Sequence, residues 1–371
     1  MTCIHEQPDW PAFRWNDASL VPVLTAVRHK QGRLLGRMES LGFEFGQEAS
    51  LVTLTSDVVK SSAIEGEVLD PSQVRSSIVS RLGLDAGGQP PVGRDVEGIV
   101  EVMVDATRQF EKPLSAERLS AWHAVLFPTG RSGMLKITVG AWRLDEQGPM
   151  RVVSGHTRGR VHFQAPEAPR ISQEMKRFLA WFEDPSALDA VLRAGIAHLW
   201  FVTIHPFDDG NGRIARAIAD MALARSDGSP QRFYSMSSQI EKEKKDYYRQ
   251  LESQQRGNLD ITPWLTWFLG CLGRTIDAAD ESLGAVLFKA AFWEKVNHKP
   301  VNDRQRTVIN RLLGPFEGFL TTSKYAALAK CSTDTALRDI RELLGRGILL
   351  RNERGGRSTN YRLGAPDSIQ P

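Results

Sequence analysis

Cysteine is scarce in this 371-residue chain, and Cys3, Cys271 and Cys331 are odd in number and far apart. That argues against a disulfide framework and predicts a reduced, cytoplasmic setting. Long apolar runs are missing too. None approaches the roughly 18 residues of a membrane-spanning helix. The start of the chain, with Asp9, Trp10 and Pro11 close together, has no signal-peptide pattern, so no membrane association is expected. Strand-type alternation is sparse before Gly140, so the chain reads as mainly α.

With 41% hydrophobic residues, the chain is long enough for two or three domains. Helical periodicity runs through Leu20–Leu41, Leu51–Ile64 and Val96–Phe110, and the Gly/Pro-rich stretch Gly83–Gly93 marks a connection. The expected divisions are an N-terminal helical region over 1–95, a catalytic domain over 96–290 and a C-terminal domain over 301–371.

One stretch concentrates chemistry: His205-Pro206-Phe207-Asp208-Asp209-Gly210-Asn211-Gly212-Arg213, with Arg216 three positions on. Leu192, Ile196, Leu199 and Trp200 lie at helical spacing before it, and Ile214, Ile218 and Met221 after it, so it is a helix–loop–helix junction. Gly210 and Gly212 let the backbone turn and let a ligand approach closely. Successive N–H groups opening the second helix form an anion nest, favoured by the positive helix end. Arg213 and Arg216 share one side of that helix and can both reach a polyphosphate. Asp209 is placed to hold Mg²⁺ together with the phosphates. His205 titrates near neutrality and can accept a proton from an incoming hydroxyl. As a unit these residues describe a phosphoryl-type transfer site.

Three rival readings are weaker. Gly210-Asn211-Gly212-Arg213-Ile214-Ala215 satisfies the dinucleotide fingerprint, but that needs a preceding strand and a βαβ unit. His198 and His205 have no nearby cysteine and no His-Glu-x-x-His spacing for zinc. A capped loop with solvated arginines accounts for each residue singly and not for their conjunction.

The motif His-Pro-Phe-x-Asp-Gly-Asn-Gly-Arg-x-x-Arg resembles the signature of the Fic family, whose members mostly transfer AMP from ATP to a protein hydroxyl. The resemblance implies a Fic-type helical core. It assigns His205 as base, Asp209 as the Mg²⁺ ligand, and Gly210, Asn211 and Gly212 as the phosphate cradle, with Arg213 and Arg216 on the phosphates. Gly212 argues against the kinase-like Doc branch, which carries Lys there. Upstream, Met150–Val153 and Val161–Pro166 around Ser154-Gly155-His156 form a hairpin pattern. It is similar to the family's flap, implying that Val153, Ser154, Gly155 and His156 face a target segment that could add as a strand. Tyr247, Tyr248 and Gln255 are similar to residues contacting the adenosine portion, although buried core aromatics are the competing reading.

Ser61-Ser62-Ala63-Ile64-Glu65-Gly66 resembles the Ser-x-x-x-Glu-Gly inhibitory helix of Fic proteins. Ser61 and Glu65 fall on one helix face, and Glu65 is expected to pair with Arg216 and displace the γ-phosphate. The same glutamate leaves room for the reverse reaction, removal of AMP.

The last 71 residues read differently. Helix patterns over Asn302–Leu313, Thr322–Ala329 and Thr335–Leu344 precede a hairpin around Gly355-Gly356-Arg357, a plan that resembles a winged helix-turn-helix. Residues 301–371 hold 12 Lys+Arg against 7 Asp+Glu, whereas residues 1–300 hold 35 against 37, so the basic excess sits here. Arg338, Arg341, Arg351, Arg354 and Arg357 could meet nucleic-acid phosphates, or the module could dock on protein or on a second copy. The expected protein is therefore a self-inhibited adenylyltransferase that uses ATP and Mg²⁺ on an unnamed protein target or on itself. The alternative is a DNA-binding regulator with a nucleotide-sensing Fic domain, and homodimerisation is compatible with either.

Overall fold

The computed structural model describes residues 3–39, 43–84, 92–146, 148–154, 160–185, 188–296, 301–314, 316, 318–352 and 359–365. Among them the protein is mainly helical, with fifteen α-helices and three two-stranded antiparallel hairpins. In chain order these are α1 (Asp17–Glu39), α2 (Phe43–Ile64), α3 (Pro71–Arg81), α4 (Arg94–Arg108) and α5 (Ala116–Leu126), then the hairpins β1 (Arg131–Ser132) with β2 (Leu135–Lys136) and β3 (Arg151–Ser154) with β4 (Arg160–Gln164). Next come α6 (Ala168–Phe182), α7 (Ala190–Ile204), α8 (Asn211–Asp227), α9 (Met236–Lys242), α10 (Lys244–Gln255) and α11 (Thr262–Ser282). The chain continues with α12 (Gly284–Val296), α13 (Asp303–Leu312), α14 (Thr322–Ala329), α15 (Thr333–Gly345), β5 (Leu349–Arg351) and β6 (Tyr361–Leu363). None of the described helices is long and apolar enough to cross a membrane.

Two compact units result, one from Met1–Ser40 and Gly46–Asp280, the other from Leu41–Phe45 and Glu281–Pro371. Apart from Leu41–Phe45, the first 95 residues therefore share a compact unit with the motif helices. In that unit α7 is apolar on every side and buries each residue from Val191 to Ile204, as a central core helix must. Asp189 caps it by accepting from Val191 N, and α8 packs along it and ends at Gly228 in the left-handed conformation. Six residues, His205 to Gly210, join the two helices. Helix α4 approaches α5 so closely at Gly98 that a Cβ there would lie 2.0 Å from the Val125 carbonyl oxygen.

Helix α2 is fixed over this core by polar contacts. Asp57 accepts from Ser235 Oγ and, at 3.2 Å, from Ser237 N, and Ser56 Oγ lies 2.9 Å from Ser238 Oγ. Beneath it the buried Arg232 is paired with Asp227 at 2.6 Å and with Asp220 at 3.2 Å. These bonds aim the last turn of α2, with Ser61 and Glu65, at the start of α8.

The second unit has its own apolar core, in which Phe292, Val308, Tyr325, Ile340 and Leu349 are buried. Asn302 and Gln305 form a reciprocal capping box on α13. Asp339 of α15 accepts from Arg304 at 2.9 Å and from Tyr325 Oη at 3.3 Å, tying three helices together. The hairpin pairs Leu349 with Leu363 and Arg351 with Tyr361. Three helices and a hairpin thus follow residue 300, with the turn residues Arg354 and Arg357 outside the described residues. The β1–β2 hairpin is invisible to periodicity because two residues per strand carry no alternation.

The contact at Gly98 yields a stability test. Gly98→Ala is expected to lower unfolding free energy in urea by ~1–3 kcal/mol, the cost of overpacking against backbone that cannot rotate away.

Candidate active site

The α7–α8 junction begins with a residue in an uncommon conformation. His205 has φ 52° and ψ 59°, left-handed and rare for a side chain with a Cβ. Its N–H bonds the Phe201 carbonyl at 3.0 Å and ends α7, and its ring Nδ1 lies 3.2 Å from the Val202 carbonyl. A carbonyl only accepts, so Nδ1 carries the proton and Nε2 keeps its lone pair. Burial pushes the imidazole down to about 4, the Val202 bond working against this and Arg143 with it, while Asp209 and Glu65 also oppose it. The ring is therefore neutral near pH 7, the form that can take a proton.

The loop after His205 is closed by Asn211, buried, whose amide donates to Phe207 O at 2.8 Å and accepts from Phe207 N at 3.0 Å. Phe207 stacks on His123, with centroids 4.2 Å apart and planes 7° from parallel. Asp208 accepts from Thr138 N at 2.8 Å and so holds the preceding segment. Asp209 accepts from Gly210 N at 2.5 Å and from Ser132 Oγ. Gly210 has φ 78°, and a Cβ on it would lie 2.8 Å from the Phe127 ring. Among the described residues no group of three or more His, Cys, Asp or Glu stands together as a metal site. A lone carboxylate beside a phosphate cradle fits Mg²⁺, which keeps waters and takes phosphate oxygens as ligands.

Both arginines of the motif are buried, and both are held by glutamates that follow α2. Arg216 donates from Nη2 to Glu65 Oε1 at 2.8 Å and to Ser61 O at 2.9 Å, and from Nε to Ser61 Oγ at 2.9 Å. Burial opposes its charge, yet Glu65 keeps its pKa above the ordinary value. The pairing runs through one carboxylate oxygen rather than the two-pronged geometry. Arg213 Nη1 donates to both oxygens of Glu67, at 3.0 and 2.9 Å, and its guanidinium lies 5.1 Å from the Phe127 ring centroid. Gly66, between the glutamates, has φ 90°. A Cβ on Gly212 would meet Glu65 Oε1 at 2.2 Å, so the carboxylate rests on the glycine cradle itself. Arg216 Nη1 and Arg213 Nε are buried without a hydrogen-bond partner.

A cavity of about 890 Å³ opens beside these groups, lined in part by Glu65, His205, Gly212, Tyr247, Tyr248 and Gln255. Tyr247 is buried with its Oη 2.8 Å from His198 Nε2, an imidazole that burial first, and Arg216 second, push down to about 3. Tyr248 is 41% exposed and reaches the Ile64 carbonyl at 3.2 Å. Gln255 is buried, its amide 3.4 Å from Thr203 Oγ1. Tyr247 is thus a core residue with an edge on the cavity. Across the cavity β3 and β4 pair, with a register shift between Val152 and Val153, and Val153 stands exposed. Ser154 ends β3, and Gly155 and His156 lie outside the described residues. Strand β4 is tied to α10 through Glu252, which accepts from Arg160 at 2.6 Å, meets His162 Nδ1 at 2.7 Å and pairs with Arg256 at 3.0 Å.

Several of these groups escape sequence reasoning. Glu67 lies one residue beyond the Ser-x-x-x-Glu-Gly pattern, Glu252 reads as a helix-surface acid, and Ser132 and Arg143 meet the motif only in three dimensions. In the second unit Arg338 and Arg341 lie exposed on α15 and Arg351 exposed on β5.

Residues 113–223 match the family model described as Fic/DOC family, and residues 3–84 match one described as Domain of unknown function (DUF4172). A protein adenylyltransferase Fic of Nematostella vectensis is 36% identical over 123 residues, 32% of this chain and 26% of that protein. The protein adenylyltransferase fic-1 of Caenorhabditis elegans is 30% identical over 205 residues, 54% of this chain and 37% of its own length. The chain thus spans well under half the length of these curated relatives. A Fic family protein from Desulfovibrio desulfuricans superposes with a TM-score of 0.55 at 22% identity, covering 93% of this chain and 95% of its own. A Fic domain containing signaling protein from Bacteroides thetaiotaomicron gives 0.50 at 18%, covering 76% and 100%. At such identities the two structures speak for the fold alone, which is a Fic-type helical fold. Residues 113–223 of the chain are a Fic/DOC-family domain.

The buried imidazoles predict acid sensitivity. His123, His198 and His205 are pushed below the ordinary value of 6.5, to about 4, 3 and 4, by burial. Between pH 6.5 and 4 the unfolded chain binds protons that the native state refuses, so stability falls as pH drops through that window. His198→Gln keeps a hydrogen-bonding partner for Tyr247 and is expected to remove about 2 kcal/mol of the loss between pH 7 and 5, read from unfolding curves at the two pH values.

Proposed function

We propose that this chain is a protein adenylyltransferase, moving AMP from ATP to a Ser, Thr or Tyr hydroxyl of a protein target or of itself, and held off by its own glutamates. The observation that carries this reading is the convergence of three features on one cavity. They are a neutral His205 with a free Nε2, a glycine cradle, and two buried arginines with N–H groups still unpartnered.

On this reading the first N–H groups of α8 and the Arg213 and Arg216 side chains bind the polyphosphate. Asp209 would hold Mg²⁺, which neutralises phosphate charge when bound. His205 Nε2 takes the proton of the target hydroxyl, the hydroxyl oxygen bonds to the α-phosphorus, and pyrophosphate leaves. The exposed β3 edge offers backbone groups that register a target segment as an added strand. Tyr248 and the cavity edge of Tyr247 supply apolar surface for a nucleoside, and Gln255 a polar group.

The off state follows from charge. Glu65 and Glu67 occupy the arginines that the phosphates require, and Glu65 covers the cradle. Glu67 adds a second block that the Ser-x-x-x-Glu-Gly pattern does not contain. Glu65 also stands where a carboxylate could hold water for the reverse removal of AMP. The exposed Arg338, Arg341 and Arg351 support nucleic-acid contact by a winged-helix module as an addition to transfer. A pure sensor would need the cradle and arginines but no free imidazole nitrogen, which makes it the less supported reading.

Transfer of label from α-labelled ATP to protein tests the proposal. Glu65→Gly is expected to label strongly, wild type weakly, and Glu65→Gly/His205→Ala not at all. Loss of a charge-assisted bond worth about 1.5–3 kcal/mol implies roughly 10- to 100-fold tighter ATP binding for Glu65→Gly, with a further gain when Glu67→Gln is added. Equal labelling of wild type and Glu65→Gly removes the inhibitory role, and absence of label from every variant with each protein fraction tried removes the transferase reading. In the active background the acidic limb of kcat/KM is expected near pH 4, below the ordinary histidine range.

A further inference from the structure

We propose that Arg143, sixty-two residues before the motif, is the positioning residue that holds His205 in its left-handed conformation, an inference that rests on His205 acting as the base. Left-handed backbone at a residue with a Cβ costs about 1–3 kcal/mol and persists only where its surroundings over-determine it. At His205 the N–H bond to Phe201 and the ring bond to Val202 hold the residue from α7, and Arg143 holds its other side. Arg143 Nε donates to the His205 carbonyl at 2.8 Å, and the Arg143 backbone N–H donates to the next carbonyl, Pro206, at 2.9 Å. Two consecutive carbonyls of the turn are thus fixed by one residue.

The guanidinium is itself immobile. It is 1% exposed, donates from Nη1 to Asp145 Oδ1 at 2.5 Å and from Nη2 to the Pro166 carbonyl, and Asp145 in turn accepts from Ala168 N at 2.6 Å where α6 begins. Pro166 follows directly on the segment that leaves β4, since Ala165 N bonds Met150 O at 3.0 Å. Arg143 therefore couples the base to the foot of the β3–β4 hairpin. A change of backbone at His205 also moves the ring, because the Nδ1 bond to Val202 O is short-range and depends on that turn. Among the described residues, Arg143 bonds to His205, Pro206, Asp145 and Pro166 and to none of Gly210 to Arg216, so nucleotide binding and base placement are separable.

The charged groups facing His205 are Arg143, Asp209 and Glu65, so a test that retains the cation isolates geometry. Arg143→Lys keeps the charge but loses the planar fork that serves three acceptors at once. In the Glu65→Gly background this variant is expected to lose about 100-fold in kcat, the scale of an ångström of misplacement, while ATP affinity by calorimetry stays within about twofold. In nitrogen spectra of histidine-labelled protein, His205 is expected as a single Nδ1–H tautomer in the parent and as a mixture in Arg143→Lys. A folded Arg143→Lys protein with parental kcat and a single tautomer overturns the proposal. Should Arg143→Lys not fold, Asp145→Asn takes its place. A smaller loss of kcat with the same tautomer change supports the assignment, and unchanged kcat and tautomer refute it. If the parent transfers no AMP yet the tautomer still depends on Arg143, the positioning role stands and the transferase reading fails.

Discussion

A buried guanidinium cannot be left without a counter-charge, and Arg216 makes that constraint the centre of this fold. Breaking a buried ion pair by removing one partner costs about 3–5 kcal/mol, so a carboxylate or a phosphate has to stand beside it. Here the carboxylate is Glu65, delivered by α2, and α2 is held in place by Asp57 and Ser56 against the segment before and within α9. Helix α2 is thereby part of the electrostatics of the α7–α8 junction and not an appendage. The same logic governs Arg213, whose partner Glu67 sits two residues on from Glu65 across a glycine with positive φ.

Much of this was legible in the sequence because it is local. The α7–α8 junction announces itself through apolar spacing on both sides and glycines between, and the structure puts α7 over Ala190–Ile204 and α8 over Asn211–Asp227. The meeting of Glu65 and Arg216 was implied by the resemblance of Ser61–Gly66 to the inhibitory helix of Fic proteins, while the spacing alone put Ser61 and Glu65 on one face. The single-oxygen pairing was not legible, because ion-pair geometry depends on the rotamers available over Gly212.

What the sequence hid are contacts that join distant segments. Arg143 carries no signal in the sequence, yet its side chain ends on the His205 carbonyl of the motif loop. Ser132 lies in strands of two residues and still reaches Asp209. No periodicity marks either, since each involves one side chain and the backbone or carboxylate of a remote loop. The second unit was easier, because the three helices and hairpin after residue 300, together with α12, bury a core of their own. Its charged surface, by contrast, says little, since exposed arginines on α15 look alike whether they meet phosphate, protein or water.

On the proposed function, the placement of Glu65 and Glu67 on the chain that carries Arg213 and Arg216 has a quantitative side. A tethered competitor cannot be diluted away, and its effective concentration is set by the anchoring of α2 rather than by the amount of protein present. A nucleotide bound as proposed would have to exceed that fixed local concentration before it gained the two arginines. The threshold is then a property of the fold, and occupancy of the cradle becomes a reading of how much nucleotide surrounds the molecule.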